Sequence, residues 1–215
     1  MLPQNLGPVE VRVLGSLIEK ALSTPEHYPL SLNALTNACN QSSNRNPVLA
    51  LDEGSVLGAV DILRRLGLVR SFQGIGSRVP KFQHLLEEEC ELSREEVAVL
   101  CVLALRGPQT SSEVRSRAAR LMSTDHPDGI DAAVEALMAR TPSPAVTRLA
   151  RQPGQKEARY AHLLAGDVTY EEVDALPAQV VATDRISALE ELTRDLQGEV
   201  ANLRAQLADF RRQFE

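Results

Sequence analysis

An internal repeat of about 80 residues constrains the fold of this chain more than any other feature. The segment KFQHLL at 81–86 is matched by RYAHLL at 159–164, and VRVL at 11–14 is matched by VAVL at 97–100. The pair VRVL and VAVL lies near the start of each unit, and the pair KFQHLL and RYAHLL lies near its end. The sequence therefore predicts two copies of one unit, followed by a different tail.

This repeat divides the chain into four predicted segments. They are two repeated domains at 1–90 and 91–166, a linker at 167–183 and a helical tail at 184–215. The formal charge of −6 lies in the tail region, because residues 165–215 hold 5 basic and 11 acidic side chains. Both repeats are close to neutral, so local clusters of charge matter there more than net charge.

Apolar spacing in the first repeat predicts three helices and a hairpin. We expect a helix from Val9 to Ala21, a second capped by Ser31, a polar turn at 40–47, and a third helix that stops at Gly67. The predicted strands are 68–72 and 78–85. Pro80 is expected to confine the second of these strands to the edge of a sheet, because proline lacks a backbone N–H.

The second repeat shows the same order of elements. Ser93 with Glu96 and Thr110 with Glu113 form capping-box patterns at the starts of two helices. A third helix is expected at 128–138, and strands are expected at 146–151 and 158–163. The predicted fold class is mainly α with small β-hairpins (α+β), with two tandem winged-helix domains followed by a C-terminal coiled-coil helix.

The tail carries apolar residues at alternating steps of three and four, which is typical of a coiled coil. This series extends to Phe214, and Thr193 is its one polar position. The pattern predicts a homodimer, and the alternative is that the stripe packs on its own chain. The dimerisation candidates are Ile186, Leu189, Leu196, Val200, Leu203, Leu207 and Phe210.

Several motifs resemble one family of bacterial proteins. They are TPEHYPLSLNALTNACNQ at 24–41 with SNR at 43–45, LRGPQT at 105–110 with EVRSR at 113–117, and RQPG at 151–154 with EARYAHLL at 157–164. Over about residues 8–166 the chain is similar to the YceH family. That resemblance implies a tandem winged-helix fold and no particular activity. The family's Asn-Arg-Asp-Pro reads NRNP at 44–47 here, and its usual Pro-Gly is replaced by Ser111-Ser112.

No catalytic or metal-binding pattern is present in the sequence. The four histidines lack HxxxH or HExxH spacing, and GxSxG, GxxxxGK[ST] and GxGxxG are all absent. We therefore predict a protein that is not an enzyme and has no cofactor or metal. His84 and His162 occupy equivalent places in the repeat and are interpreted as packing residues. The run Glu87 to Glu89 is interpreted as a solvated linker.

Cysteine usage and hydropathy predict a cytoplasmic protein. Cys39, Cys90 and Cys101 form no CxxC pair, and so few thiols are typical of a reducing compartment. Cys39 and Cys101 fall on helical faces, which predicts that they are buried. No run of about 18 apolar residues predicts a membrane span, and the first eight residues do not resemble a signal peptide.

Nucleic-acid binding is the function that the predicted fold favours. A winged helix normally places its third helix in the major groove, but here Asp52, Glu53, Asp128, Asp131 and Glu135 make both third helices acidic. Contacts are therefore expected from the wings, the turn before the third helix and the second helix of the second repeat. The candidates are Ser42, Ser43, Asn44, Arg45, Asn46, Arg70, Arg78, Lys81, Arg115, Arg117, Arg148, Arg151, Lys156 and Arg159.

Alternatives to these contacts stay open. Asn44 and Asn46 could instead satisfy the backbone of their turn, and the arginines could pair with carboxylates of this chain or of a partner. With seven Phe and Tyr residues and no Trp, the chain is poor in the stacking platforms that single-strand binders use.

Two functions follow. One is a dimeric protein that binds double-stranded DNA, such as a transcriptional regulator. The other is a non-catalytic scaffold for protein partners, by analogy with the small winged-helix subunit of bacterial condensin.

Overall fold

A computed structural model describes residues 2–73, 79–123, 128–151 and 155–168 of the chain. The predicted coiled-coil tail and the wing residue Arg78 lie outside these ranges. The helices are α1 (Pro8–Ser23), α2 (Leu32–Cys39), α3 (Glu53–Arg65), α4 (Leu86–Glu89), α5 (Arg94–Arg106), α6 (Ser111–Met122) and α7 (Asp128–Ala139). The strands are β1 (Leu30–Ser31), β2 (Val69–Phe72), β3 (Lys81–His84), β4 (Gln109–Thr110), β5 (Val146–Arg148) and β6 (Arg159–His162).

The described chain is a mixed α/β structure, mainly helical, with two small antiparallel sheets. Each repeat runs helix, short strand, helix, helix and two strands, and the two sheets have equivalent orders, β1-β3-β2 and β4-β6-β5. In the first sheet Phe82 of β3 lies opposite Leu30 on one side and Ser71 on the other. The predicted sequence of helices and hairpins is therefore present in both repeats.

One expectation about the first sheet is wrong. Pro80 was expected to confine the following strand to an edge, yet β3 is the central strand and pairs on both sides. The reason is that Pro80 lies one residue before the strand begins at Lys81, so its missing N–H removes no bond from the ladder. The outer strands β1 and β4, of two residues each, were not predicted because they are too short to show an apolar alternation.

The predicted helix caps are confirmed by their hydrogen bonds. The Ser31 hydroxyl accepts from the backbone N–H of Ala34 at 3.3 Å, and both capping boxes, at Ser93 and Thr110, are complete. Gly67 has a φ of +73°, the left-handed conformation that follows many helix ends and that glycine adopts without a Cβ clash.

The described residues of the two repeats pack as one compact unit around a single hydrophobic core, so the boundary at residue 90 separates two repeats that share this core. Helix α1 lies against α5 at Gly15, where an added Cβ would come within 3.0 Å of the Leu105 side chain. The Sγ of Cys101, a fully buried residue, lies 3.4 Å from the Gly15 carbonyl oxygen. The repeats are thus joined through their first helices, in close contact.

The segment before α1 also joins the repeats. The Leu6 backbone N–H donates to the Leu164 carbonyl at 2.9 Å, and the Gln4 side chain donates to the Pro144 carbonyl at 2.8 Å. Leu2 and Leu6 are buried in the shared core. The first residues of repeat one are therefore held by the last strand region of repeat two.

His84 and His162 occupy equivalent positions at the ends of the two central strands. In both side chains Nδ1 is shielded from solvent and has no hydrogen-bond partner in the described part of the chain. Burial lowers the pKa of each imidazole from 6.5 to about 4. Both rings are thus packing elements that are neutral at pH 7.

None of the described helices is both long enough and apolar enough to cross a membrane.

The contact at Gly15 predicts that a side chain there separates the repeats. Gly15→Leu should lower the free energy of unfolding by about 3 kcal/mol, because the new side chain overpacks the α1–α5 contact. Gly58→Leu is the matched control, since a Cβ at Gly58 meets nothing within 4 Å. Urea denaturation followed by circular dichroism measures both. An equal loss in the two variants would contradict the tight contact.

The buried histidines predict a pH-dependent stability. Because their folded-state pKa of about 4 lies below 6.5, the unfolded chain binds protons that the folded chain does not take up between these values. The stability that each neutral buried histidine contributes should be fully present above pH 6.5. The free energy of unfolding should fall as the pH drops toward 4, by at most about 3 kcal/mol per histidine. His84→Phe should reduce this slope, and His27→Phe, at an exposed position, is the control. A slope unchanged by His84→Phe would contradict the assignment.

Candidate nucleic-acid interface

The loop that joins α2 to α3 is built around a buried ion pair. The guanidinium of Arg45 donates to both carboxylate oxygens of Glu19 on α1, at 2.6 and 3.0 Å. The Arg45 side chain is 0% exposed and that of Glu19 is 7% exposed. Burial alone would raise the pKa of Glu19, but the hydrogen bonds and charge of Arg45 outweigh it and hold this pKa below its ordinary value.

Arg45 and Arg12 together satisfy the end of α2. Arg45 donates to the Ala38 carbonyl at 2.8 Å, and Arg12, also buried, donates to the Cys39 carbonyl at 3.0 Å and to the Pro47 carbonyl. The carbonyls of Ala38 and Cys39 are among those that a helix leaves without partners at its C-terminus, and Pro47 lies in the loop that follows. The Asn40 side chain exchanges two hydrogen bonds with the Leu51 backbone, at 2.7 and 2.8 Å, and closes the loop.

These contacts correct the expectation for Arg45. Its Nε and both of its terminal nitrogens donate hydrogen bonds inside the protein, so no nitrogen of Arg45 is left to bind a phosphate or a base. Asn44 is also engaged, because its side-chain oxygen accepts from Arg106 of the second repeat. The Asn46 backbone N–H donates to the Leu105 carbonyl at 2.8 Å. The loop therefore rests on the second repeat and leaves the side chains of Ser42, Ser43 and Asn46 exposed.

The predicted arginines of α6 and of β6 also have internal partners. Arg115 pairs with Asp131 of α7, and Arg117 pairs with Glu113 at 3.2 Å. Arg159 is half-buried and donates to the Pro108 carbonyl at 3.1 Å. Arg115 and Arg117 thus pair with carboxylates of this chain, whereas the partner of Arg159 is a backbone carbonyl.

We use the name first wing for the strand pair β2–β3 with residues 73 and 79–80, and the name second wing for the strand pair β5–β6 with residues 149–151 and 155–158. Three of the predicted cations come together on the second wing. Arg148, Arg151 and Lys156 are exposed and line one depression of about 450 Å³, together with Tyr160 and with Ser111 at the start of α6. Glu157 is the one carboxylate in this lining, and no ion pair involves the three cations within the described ranges. The Arg151 side chain donates to the Lys156 carbonyl at 3.2 Å, which links the residues after β5 to those before β6.

The first wing has a different surface. Arg70 and Lys81 are exposed on β2 and β3, but next to them Phe72 and Val79 are 54% and 53% exposed. On α3, Asp61 pairs with Arg64 at 3.2 Å. The first repeat therefore presents a mixed apolar and charged surface, and the cationic surface belongs to the second.

Sequence patterns missed several residues that line a separate cleft between the repeats. Lys20, Arg106 and Arg120 come from three different helices and meet at this cleft. Lys20 and Arg106 are isolated cations in the sequence, and their only signal is their place in the last turn of a helix. Arg120 follows two other arginines on the basic helix α6. The proximity of the three cations depends on the packing of α1 against α5, which no local pattern reveals.

No group of three or more histidine, cysteine, aspartate or glutamate side chains able to hold a metal ion occurs among residues 2–73, 79–123, 128–151 and 155–168.

The described chain is a two-repeat α/β protein with a cationic second wing. It belongs to the family whose model, described as "Protein of unknown function, DUF480", matches residues 6–155.

Relatives similar to this chain carry the name UPF0502 protein. One from Pelobacter propionicus is 50% identical over 217 residues, which cover 98% of each chain. One from Geotalea daltonii is 51% identical, with 98% of this chain and 99% of the relative covered. One from Opitutus terrae is 52% identical over 172 residues, covering 80% of this chain and 75% of the relative.

The buried pair predicts that Arg45 acts on stability. Arg45→Met should lower the free energy of unfolding by about 3 kcal/mol, because it leaves the buried Glu19 carboxylate with only Lys20, at 3.3 Å, as a counter-charge. Ser43→Ala, on the same loop but exposed, should change it by less than about 0.5 kcal/mol. Urea titration measures both. The double variant Glu19→Leu with Arg45→Met should recover part of the loss, and stability unaffected by Arg45→Met would contradict this role.

Proposed function

We propose that this protein binds double-stranded DNA through the wing of its second repeat. The observation that carries the proposal is the group formed by Arg148, Arg151 and Lys156 around one depression, beside the N-terminus of α6. Cations without internal carboxylate partners are the groups that gain most by neutralising phosphates and releasing counterions. The Ser111 hydroxyl and the positive end of the helix dipole add donors for the same phosphate.

The proposed contacts are mostly with the DNA backbone. In this proposal each repeat is a winged helix. Its wing lies along the DNA phosphates, and its third helix does not enter the major groove. The carboxylates of Asp61, Asp131 and Glu135 on the third helices support this choice, since they would face the negative groove if inserted. Backbone contacts position a protein on DNA and carry little sequence information, so moderate sequence preference is expected.

Dimerisation and location complete the proposal. The heptads at 186–214 would join two copies, so that two cationic wings act on one duplex. The resemblance to the YceH family supports the tandem winged-helix assignment. We assign the protein a non-catalytic role in the cytoplasm.

A protein-interaction scaffold is the second candidate function. It is favoured by the exposed apolar side chains of the first repeat, which are Val48, Leu57, Leu66, Phe72 and Val79. Exposed apolar groups near charged ones are common in surfaces that receive protein partners. In this alternative the second wing would bind an acidic protein segment instead of DNA.

The DNA proposal predicts a steep salt dependence that maps to the second wing. In fluorescence anisotropy with mixed-sequence duplexes, log K should fall linearly with log salt concentration, by about 0.9 per phosphate contacted. Arg148→Gln and Lys156→Gln should each weaken binding and reduce the slope by about one. Light scattering on the same samples counts the chains, which the heptads predict to be two.

Arg94→Gln is the matched control, because Arg94 is an exposed arginine at the start of α5 that does not line the depression at the second wing. It should bind DNA as the wild type does. The proposal fails if no binding occurs at about 10 μM protein in low salt, or if Arg94→Gln weakens binding as much as Arg148→Gln. Failure of the first kind would favour the scaffold.

A further inference from the structure

A second cationic site lies between the two repeats. We define the inter-repeat cleft as the cavity of about 370 Å³ lined by α1, by the loop between α2 and α3, and by α5 and α6. Lys20, Arg106, Arg117 and Arg120 line it, and Glu19 is the one carboxylate in its lining. None of these four cations belongs to the second wing, so the cleft is independent of the DNA site proposed above.

The cations of the cleft exceed the carboxylates that could neutralise them. Glu19 is shared between Arg45, at 2.6 Å, and Lys20, at 3.3 Å, and Glu113 is taken by Arg117. In the described part of the chain no ion pair joins Arg106 or Arg120 to a carboxylate. Two guanidinium groups therefore line the same cavity with no carboxylate paired to them among the described residues.

Mutual repulsion among these cations is a consequence of the fold. Burial and the positive charges of Arg117, Arg45 and Arg120 together lower the pKa of Arg106, against a smaller opposing effect of Glu19. The packing of α1 on α5 holds the charges together at an energetic cost. An anion bound between them would remove that cost, and it would bind only the folded arrangement.

The geometry points to a binding site for a small phosphate-bearing anion in the inter-repeat cleft. Guanidinium groups match phosphate oxygens with paired hydrogen bonds, which favours phosphate over a simple halide. Ser23 and Ser43 offer hydroxyl donors in the same lining, while Leu105 and Leu121 offer apolar surface for an organic part of the ligand. A cavity of this volume suits a small molecule.

The phosphate could belong to a free small molecule or to the backbone of a duplex, and two titrations distinguish these sources. In the first, sodium pyrophosphate is titrated into the full chain by calorimetry, at ionic strength held constant with sodium chloride. The wild type should bind, and Arg120→Gln should bind about tenfold more weakly. Arg120 is exposed on α6 and forms no ion pair with another described residue, so this variant is expected to fold, and circular dichroism checks that it does.

In the second titration, the same variants bind a mixed-sequence duplex. A free small molecule is the source if Arg120→Gln weakens pyrophosphate binding and leaves DNA affinity unchanged. The backbone is the source if Arg120→Gln weakens DNA binding as Arg148→Gln does. Arg94→Gln is again the control, and its affinities should equal those of the wild type.

The inference is overturned if Arg120→Gln changes neither titration, whatever the wild type binds. It is also overturned if Arg94→Gln weakens pyrophosphate binding as much as Arg120→Gln, since the anion would then respond to net charge alone. If Arg148→Gln weakens DNA binding and Arg120→Gln does not, the second-wing proposal is supported. The pyrophosphate titration then decides whether the inter-repeat cleft binds a phosphate-bearing anion.

Discussion

The buried pair between Glu19 and Arg45 is the interaction on which the arrangement of both repeats depends. It ties α1 to the loop after α2, and that loop in turn rests on the C-terminal end of α5 through Asn44 and Asn46. A charge pair removed from water is not by itself a strong source of stability, since desolvation offsets much of the attraction. Its larger effect is on specificity, because a long polar loop that could adopt many conformations is held in one.

The same pair explains why the cationic surface is divided as it is. From the sequence, Arg45 is a candidate DNA contact in the polar turn at 40–47. In the structure its side chain is buried and pairs with Glu19. Residues 42–46 then present only uncharged side chains to solvent, and exposed cations lie on both wings and in the inter-repeat cleft. The two repeats share one order of elements and have different surfaces.

Much of the local structure could be predicted from sequence, and most of the site could not. Ser93 with Glu96 and Thr110 with Glu113 are local patterns, because the groups that interact are three residues apart. The central position of β3 and the burial of Arg45 depend on partners that are far away along the chain. Glu19 precedes Arg45 by 26 residues, and nothing in a run of polar residues distinguishes a buried arginine from a solvated one.

The bond between Leu6 and Leu164 has a consequence for how the chain is made. Leu2 and Leu6 are buried in the shared core, and Leu6 is bonded to a residue that is synthesised last among those described, so the first repeat cannot complete its core while the second is still inside the ribosome. Contacts between residues so far apart in sequence slow folding, because a large loop must close before they form. The two repeats should therefore reach the native state together, and a chain truncated after the first repeat would expose the apolar faces of α1 and of the N-terminal segment.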